Sequence, residues 1–301
     1  MRAQADDHHP ELRVALEHLL SSGGKRIRPA MGLLIGRMLG GDTDLMVKMA
    51  AAVELLHTAT LVHDDLIDGA LLRRGIPTLN SRWSSAATVL TGDFIFARAA
   101  RLAAETDHLS LMRFFAETLA TIANGEITQF FSSRVLIGRE DYYNRIYAKT
   151  ASLFEMTARA AAMLSPVNDA TVEAMRNYGY QVGMAFQIVD DILDFTGEQA
   201  RMGKPVGSDL LHGLVTLPTL YYIESHPDDP DIRLLAEDDH DKEKRMVQLV
   251  EAIRASQAIP QSMHEAKQYV ERALQLLSSH HPGKNHSALE DLAKYIVDRQ
   301  M

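Results

Sequence analysis

The chain has 301 residues, 46% of them hydrophobic and 24% charged, with a formal net charge of −9. That apolar content excludes a wholly disordered chain, and the acidic balance argues against general nucleic-acid binding. There is no cysteine, which excludes a disulfide scaffold, a thiolate zinc site and a cysteine nucleophile together.

Taken in chain order, the first segment, MRAQADDHHPELR, has no apolar core and is not predicted to be a signal peptide. Gly23-Gly24-Lys25-Arg26-Ile27-Arg28-Pro29 then places three cations between a glycine pair and a predicted helix start, with Pro29 in the first turn. Glycine lets backbone approach an anion, and a helix N-terminus favours negative charge; alone, the segment reads more simply as a solvated basic turn. Val47, Ala50, Ala51, Leu55 and Thr58 recur at helical spacing and lead into Asp64-Asp65-Leu66-Ile67-Asp68. Arg73-Arg74-Gly75 is predicted to close that helix as a C-cap, with arginine favoured by the dipole. Ala99, Leu102 and Ala103 mark another helix, and Lys149-Thr150 lies in the apolar helical stretch IYAKTASLFEM.

Further breaks are predicted at Ser165-Pro166 and over 197–207. Val182, Ala185, Phe186, Val189 and Leu193 mark a helix carrying Asp190-Asp191-Ile192-Leu193-Asp194. Lys204 follows in a Gly-Lys-Pro turn, and the charged segment 225–245 is predicted to be a surface loop or short exposed helix. The longest run without Asp, Glu, Lys or Arg is Leu210 to Ile223, 14 residues broken by Gly213 and Pro218; a membrane span needs roughly 20 apolar residues. With 37 alanines, 14 methionines and few strand signals, the expectation is an all-α fold of about ten or more helices, in one domain over 1–301.

The two DDxxD clusters carry the chemistry. On a helix the first and last carboxylates, Asp64 with Asp68 and Asp190 with Asp194, share a face. Like charges at that spacing repel, and partial burial raises the cost of ionising them. A cation relieves both effects. Oxygen donors without thiolates select hard cations, and Mg2+ suits a site completed by substrate phosphate. A single cluster could be a solvated acidic helix face; two copies inside apolar helices make that reading poor. Arg28, Arg73 and Arg74 have the planar fork that grips phosphate. His57, alone on an apolar helix, reads as a core residue as easily as a ligand.

GGKRIRP, LVHDDLIDGALLRRGIPT, TGDFIFARA, NGEITQ, YAKTASLFE, GMAFQIVDDILDFTG and GKPVGSDLLHGLVTLP follow one another in this order. Together they resemble the trans-isoprenyl diphosphate synthases, or polyprenyl synthetases, over nearly the whole chain. The resemblance implies a helical bundle around a deep central cavity, with the two clusters facing each other across its mouth. It implies about three Mg2+ ions per active site, with Asp64, Asp68, Asp190 and Asp194 as metal ligands, Asp194 through water or a supporting contact. Asp64, Asp65, Asp68, Arg73, Lys149, Asp190, Asp191 and Lys204 would form the catalytic set. Arg73, Lys149, Thr150, Gln187 and Lys204 would contact the allylic diphosphate or its metals, and Lys25, Arg28, His57 and Arg74 would bind isopentenyl diphosphate.

The implied activity is head-to-tail condensation of isopentenyl diphosphate with an allylic diphosphate such as farnesyl or geranylgeranyl diphosphate, in the cytoplasm. The expected enzyme is a homodimer, or a heteromer with a small subunit, with no nucleic acid and no membrane span. Ala59 and Thr60, small residues just upstream of Asp64, leave room for a product of C20 or longer, a long chain for a quinone tail. The alternatives are a geranylgeranyl or farnesyl diphosphate synthase, a terpene cyclase, or a subunit that needs a partner. Three features depart from the family pattern: Gly69 where an acid is frequent, Leu214 where many members have lysine, and a short stretch before Gly23.

Overall fold

The computed structural model describes residues 9–21, 23–131, 138–197, 206–235, 242–280 and 282–299. Helical periodicity becomes helix almost throughout: α1 (Pro10–Ser21), α2 (Ile27–Met38), α3 (Thr43–Ile67), α4 (Ser85–Ala104), α5 (Leu109–Phe131), α6 (Arg139–Ile146), α7 (Ser152–Met163), α8 (Asp169–Thr196), α9 (Ser208–Leu211), α10 (Leu217–Ser225), α11 (Lys242–Ala255), α12 (Ala258–Leu277) and α13 (Lys284–Asp298). A π-helical turn, Tyr147–Ala151, joins α6 to α7, and a 3-10 turn spans Pro230–Leu235.

The chain forms two compact units. One is built from residues up to 117 with 156–173 and 283–289, the other from 118–155, 174–282 and the chain from 290 onward. In the first, α3 packs along α4 and against α2, burying Met31, Ile35, Met49, Leu55, Leu56 and Ile95. α3 starts where the Asp42 carboxylate accepts from the Leu45 N–H at 3.0 Å, satisfying one of the amides a helix start leaves open. Among the described residues α3 is the helix long and apolar enough to cross a membrane, but 61% of that stretch is buried inside the protein, as a core helix requires. In the second unit, α10 packs on α12. Arg139 of α6 ties both, with a two-pronged bond to Glu224 at 2.7 and 2.8 Å and a longer one to Glu265 at 3.4 Å.

One expectation changes. Arg73-Arg74-Gly75 does not cap a helix. It forms the turn of a small antiparallel hairpin, β1 (Leu72–Arg73) paired with β2 (Ile76–Pro77), with Arg74 and Gly75 at φ 54 and 75°. Positive φ at both central residues matches the twist of paired strands. The helix ends earlier, at Ile67, through Gly69 at φ 62°. Ala70 N–H reaches Asp65 C=O at 2.9 Å and Gly69 N–H reaches Leu66 C=O at 3.3 Å, the paired bonds of a Schellman closure. Glycine takes this left-handed conformation without the cost of a Cβ. The segment 225–245, expected as a surface loop or short exposed helix, carries short helical structure among its described residues: Ser225 ends α10, the 3-10 turn follows, and α11 begins at Lys242.

Candidate active site

The first aspartate cluster occupies the C-terminal end of α3, with Asp68 as the C-cap residue. Asp64 is partly exposed and Asp68 exposed, whereas Asp65 is buried. The α3 C-terminus carries partial negative charge and no basic residue in its last turn, so two carboxylates there repel both each other and the helix dipole. The hairpin supplies one counter-charge: Arg73 Nε donates to Asp65 Oδ1 at 2.7 Å. Burial pushes the Asp65 carboxyl above its ordinary range, and Arg73 opposes that shift.

Around His57, on the same helix, the unit gathers cations. Arg28 lies 3.4 Å from His57 Nε2, and Arg74 donates to the Gly23 carbonyl at 2.9 Å, bringing the hairpin to the glycine turn. Burial depresses the His57 pKa well below its usual value, and Arg28, Arg74, Arg73 and Arg26 lower it further. His57 is therefore a neutral imidazole in an arginine-rich setting, suited to donating one hydrogen bond to an anion. Arg26, at φ 48° before α2, pairs with the buried Glu54. Lys25 is exposed beside it. Glu54 was not singled out from the sequence, although one acid inside AAVELLH was the available signal.

In the second unit the π turn is the centre. A Cβ on Gly125 of α5 would lie 2.6 Å from Ala148 Cβ, and one on Gly183 of α8 would lie 2.6 Å from Ala151 Cα. Only glycine permits both approaches. Each is followed by a polar contact: Glu126 pairs with Lys149 at 2.9 Å, and Thr150 donates to Gln187 Oε1 at 2.6 Å. Gln187 Nε2 in turn donates to Asp191 Oδ1 at 2.8 Å, and Tyr142 donates to Asp191 Oδ2 at 2.7 Å. Burial raises the Asp191 pKa to about 7, with the Gln187 and Tyr142 hydrogen bonds pulling it down. π turns inside helices are frequent at functional sites.

The other two carboxylates of this cluster do not share one environment. Asp194 is buried, accepting from the Ser208 hydroxyl at 3.3 Å and the Asp209 N–H at 3.1 Å; it holds the start of α9. Asp190 keeps 41% of its side-chain surface and pairs at 2.7 Å with Arg299, just past α13. The Arg299 guanidinium also donates to the Phe186 carbonyl at 2.6 Å and lies 4.2 Å over the Phe186 ring. Arg299 and Tyr142 are functional candidates that motif reading passed over. Lys204 lies outside the described residues.

Among the described residues no three His, Asp or Glu side chains form a ready-made metal cage. The donors are carboxylates, two of them on an exposed helix end, which fits Mg2+, an ion that takes one or two carboxylates plus water and phosphate.

The sequence profile of the polyprenyl synthetase family matches residues 9–253. The chain belongs to this family. Its fold is the all-α isoprenoid synthase fold, and polyprenyl synthetases are trans-prenyltransferases. Heptaprenyl diphosphate synthase component 2 of Geobacillus stearothermophilus is 39% identical over 299 residues, covering 99% of this chain and 92% of that protein. The crystal structure of heptaprenyl diphosphate synthase from Staphylococcus aureus matches with a TM-score of 0.94 at 33% identity, over 100% of this chain and 95% of that one. A polyprenyl synthase from Caulobacter crescentus CB15, complexed with calcium and isoprenyl diphosphate, matches with a TM-score of 0.90 at 34% identity, over 100% and 92%.

Proposed function

We propose that this polyprenyl synthetase condenses isopentenyl diphosphate with an allylic diphosphate to make a polyprenyl diphosphate of C20 or longer, a long chain for a quinone side chain, in the cytoplasm. The observation that carries this reading is the arginine-rich setting of His57 on α3, the helix that bears the first aspartates: Arg28 lies 3.4 Å from its Nε2, Arg74 of the hairpin reaches the Gly23 carbonyl at 2.9 Å, and Arg73 and Arg26 add positive charge around it. Arg28, Arg74, Lys25 and His57 hold the diphosphate of isopentenyl diphosphate. Arg73, Lys149, Thr150, Gln187 and Lys204 attend the allylic substrate. Asp64, Asp68 and Asp190 hold Mg2+, and Asp194 supports its cluster by anchoring α9. When bound, Mg2+ supplies Lewis-acid stabilisation of the leaving diphosphate.

The cationic side chains stabilise charge as the allylic C–O bond breaks. The isopentenyl double bond then forms the new C–C bond, and a proton leaves to the released pyrophosphate. No side chain acts as a nucleophile. The family profile runs through residues of both compact units, which supports a single catalytic domain, and the working assembly is a homodimer. The name of the Geobacillus relative, a component 2, supports a second reading, in which a further chain completes the active enzyme.

Purified protein, Mg2+, isopentenyl diphosphate and farnesyl or geranylgeranyl diphosphate should give an elongated diphosphate, its carbon number read by mass spectrometry. A cyclised hydrocarbon would overturn both readings, and no product from the chain alone would favour the heteromer. Ala59 is fully buried, while Thr60 is partly exposed and donates to the His57 carbonyl at 2.8 Å. Phenylalanine at 59 would overpack the core. Thr60→Phe is therefore the cleaner test of this wall and should shorten the product toward C15 or C20; an unchanged product from folded, active protein would remove α3 from length control.

A further inference from the structure

Resting on that reading, we infer that Tyr142 and Asp191 are positioning residues: together they fix the orientation of the Gln187 carboxamide and, through it, the Thr150 hydroxyl offered to the allylic substrate. Tyr142 is fully buried and Asp191 nearly so. Tyr142 donates to one Asp191 oxygen at 2.7 Å and the Gln187 amide nitrogen donates to the other at 2.8 Å. With one Asp191 oxygen accepting from Tyr142 and the other from Gln187, the ionised carboxylate accepts only, and in that form Gln187 turns its nitrogen toward Asp191 and its carbonyl toward Thr150. The Thr150 hydroxyl proton is then committed to Gln187 at 2.6 Å, and its oxygen lone pairs face the other way. One N–H of Gln187 is taken by Asp191, which aims the second.

Four residues from α6, the π turn and α8 thus form one directed chain. Its terminal polarity is set at Tyr142, a residue that need not touch substrate. The approach of α8 allowed by Gly183 holds the chain at bonding distance. A buried network of this kind is rigid when every member is satisfied.

The experiment is a double-mutant cycle of Tyr142→Phe and Asp191→Asn in the full-length protein, read two ways. In protein carrying nitrogen-15-labelled glutamine, the Gln187 side-chain amide should give exchange-protected NMR signals in the wild type and lose that protection in each variant. This arm needs no catalysis, so it tests the relay even if the proposed activity fails. In the condensation assay, Tyr142→Phe should raise KM for the allylic diphosphate about tenfold, the size of one lost buried hydrogen bond, and shift KM for isopentenyl diphosphate by less than about twofold. The double variant should be no worse than Asp191→Asn alone, because Tyr142 acts through Asp191. Retained Gln187 protection in Tyr142→Phe, equal changes in both KM values, or multiplicative effects in the double variant would each overturn the relay.

Discussion

In the first aspartate cluster Asp64 and Asp68 reach solvent from the end of α3 and Asp65 alone is buried; in the second, Asp191 and Asp194 are buried and Asp190 keeps the larger exposure. The spacing is identical, and both clusters lie near a helix C-terminus with no basic residue in the last turn. The difference lies in what neutralises them. The first includes an ion pair between Asp65 and an arginine of a neighbouring hairpin, while Asp64 and Asp68 keep solvent exposure. The second is built into hydrogen bonds from Tyr142, Gln187, Ser208 and the Asp209 amide, with Arg299 on its exposed member. The two clusters therefore contain two kinds of carboxylate, those that keep solvent exposure and those that are buried in the frame.

The largest effect that would test this division is on turnover. Asp64→Ala and Asp190→Ala, at the exposed positions, should each lower kcat by more than about a hundredfold, in line with the loss of one strong electrostatic contact in a transition state. Steady-state rates at saturating Mg2+ are the measurement, and near-normal turnover would mean that exposure does not mark the metal-holding members.

Next comes Arg299→Ala, which removes the guanidinium hydrogen bond to the Phe186 carbonyl and the ion pair with Asp190. We expect a loss of about 2 kcal/mol of stability by denaturant unfolding. A change below about 0.5 kcal/mol would show that the pair adds little to the second cluster.

Gly69→Ala should cost about 1 kcal/mol. A Cβ at that position meets nothing within 4 Å, so the cost is one of backbone conformation alone. A neutral result in the same unfolding measurement would remove the glycine closure as the feature that ends the first cluster's helix.

The smallest effect is on pH dependence. His57 has a native pKa below its unfolded value of about 6.5, so below that pH the unfolded chain binds a proton that the native state resists. Stability should fall as pH drops below about 6.5, and His57→Gln should flatten that part of a melting-temperature profile. A wild-type profile without the slope would contradict a neutral His57 among the arginines.

Much of this was legible in the sequence. The alanine-rich periodicity predicted helices at α3 and α8, the two DDxxD clusters marked the candidate site, and the ordered motifs identified the family. The hairpin at Leu72–Pro77 was not predicted, because two-residue strands have no alternation to read; the Arg74-Gly75 pair was the only local signal. Arg299 and Tyr142 were missed because each carries an ordinary structural reading until its partner is known.

Local pattern alone determines which residues form helices and which carboxylates lie four apart, since those facts depend on neighbours within one or two turns. Which carboxylate is buried depends on chain far away: Tyr142 reaches Asp191 across 49 residues and Arg299 reaches Phe186 across 113. Burial and the Tyr142 hydrogen bond separate Asp191 from Asp190, adjacent in sequence and chemically identical, and both are supplied only when distant helices pack.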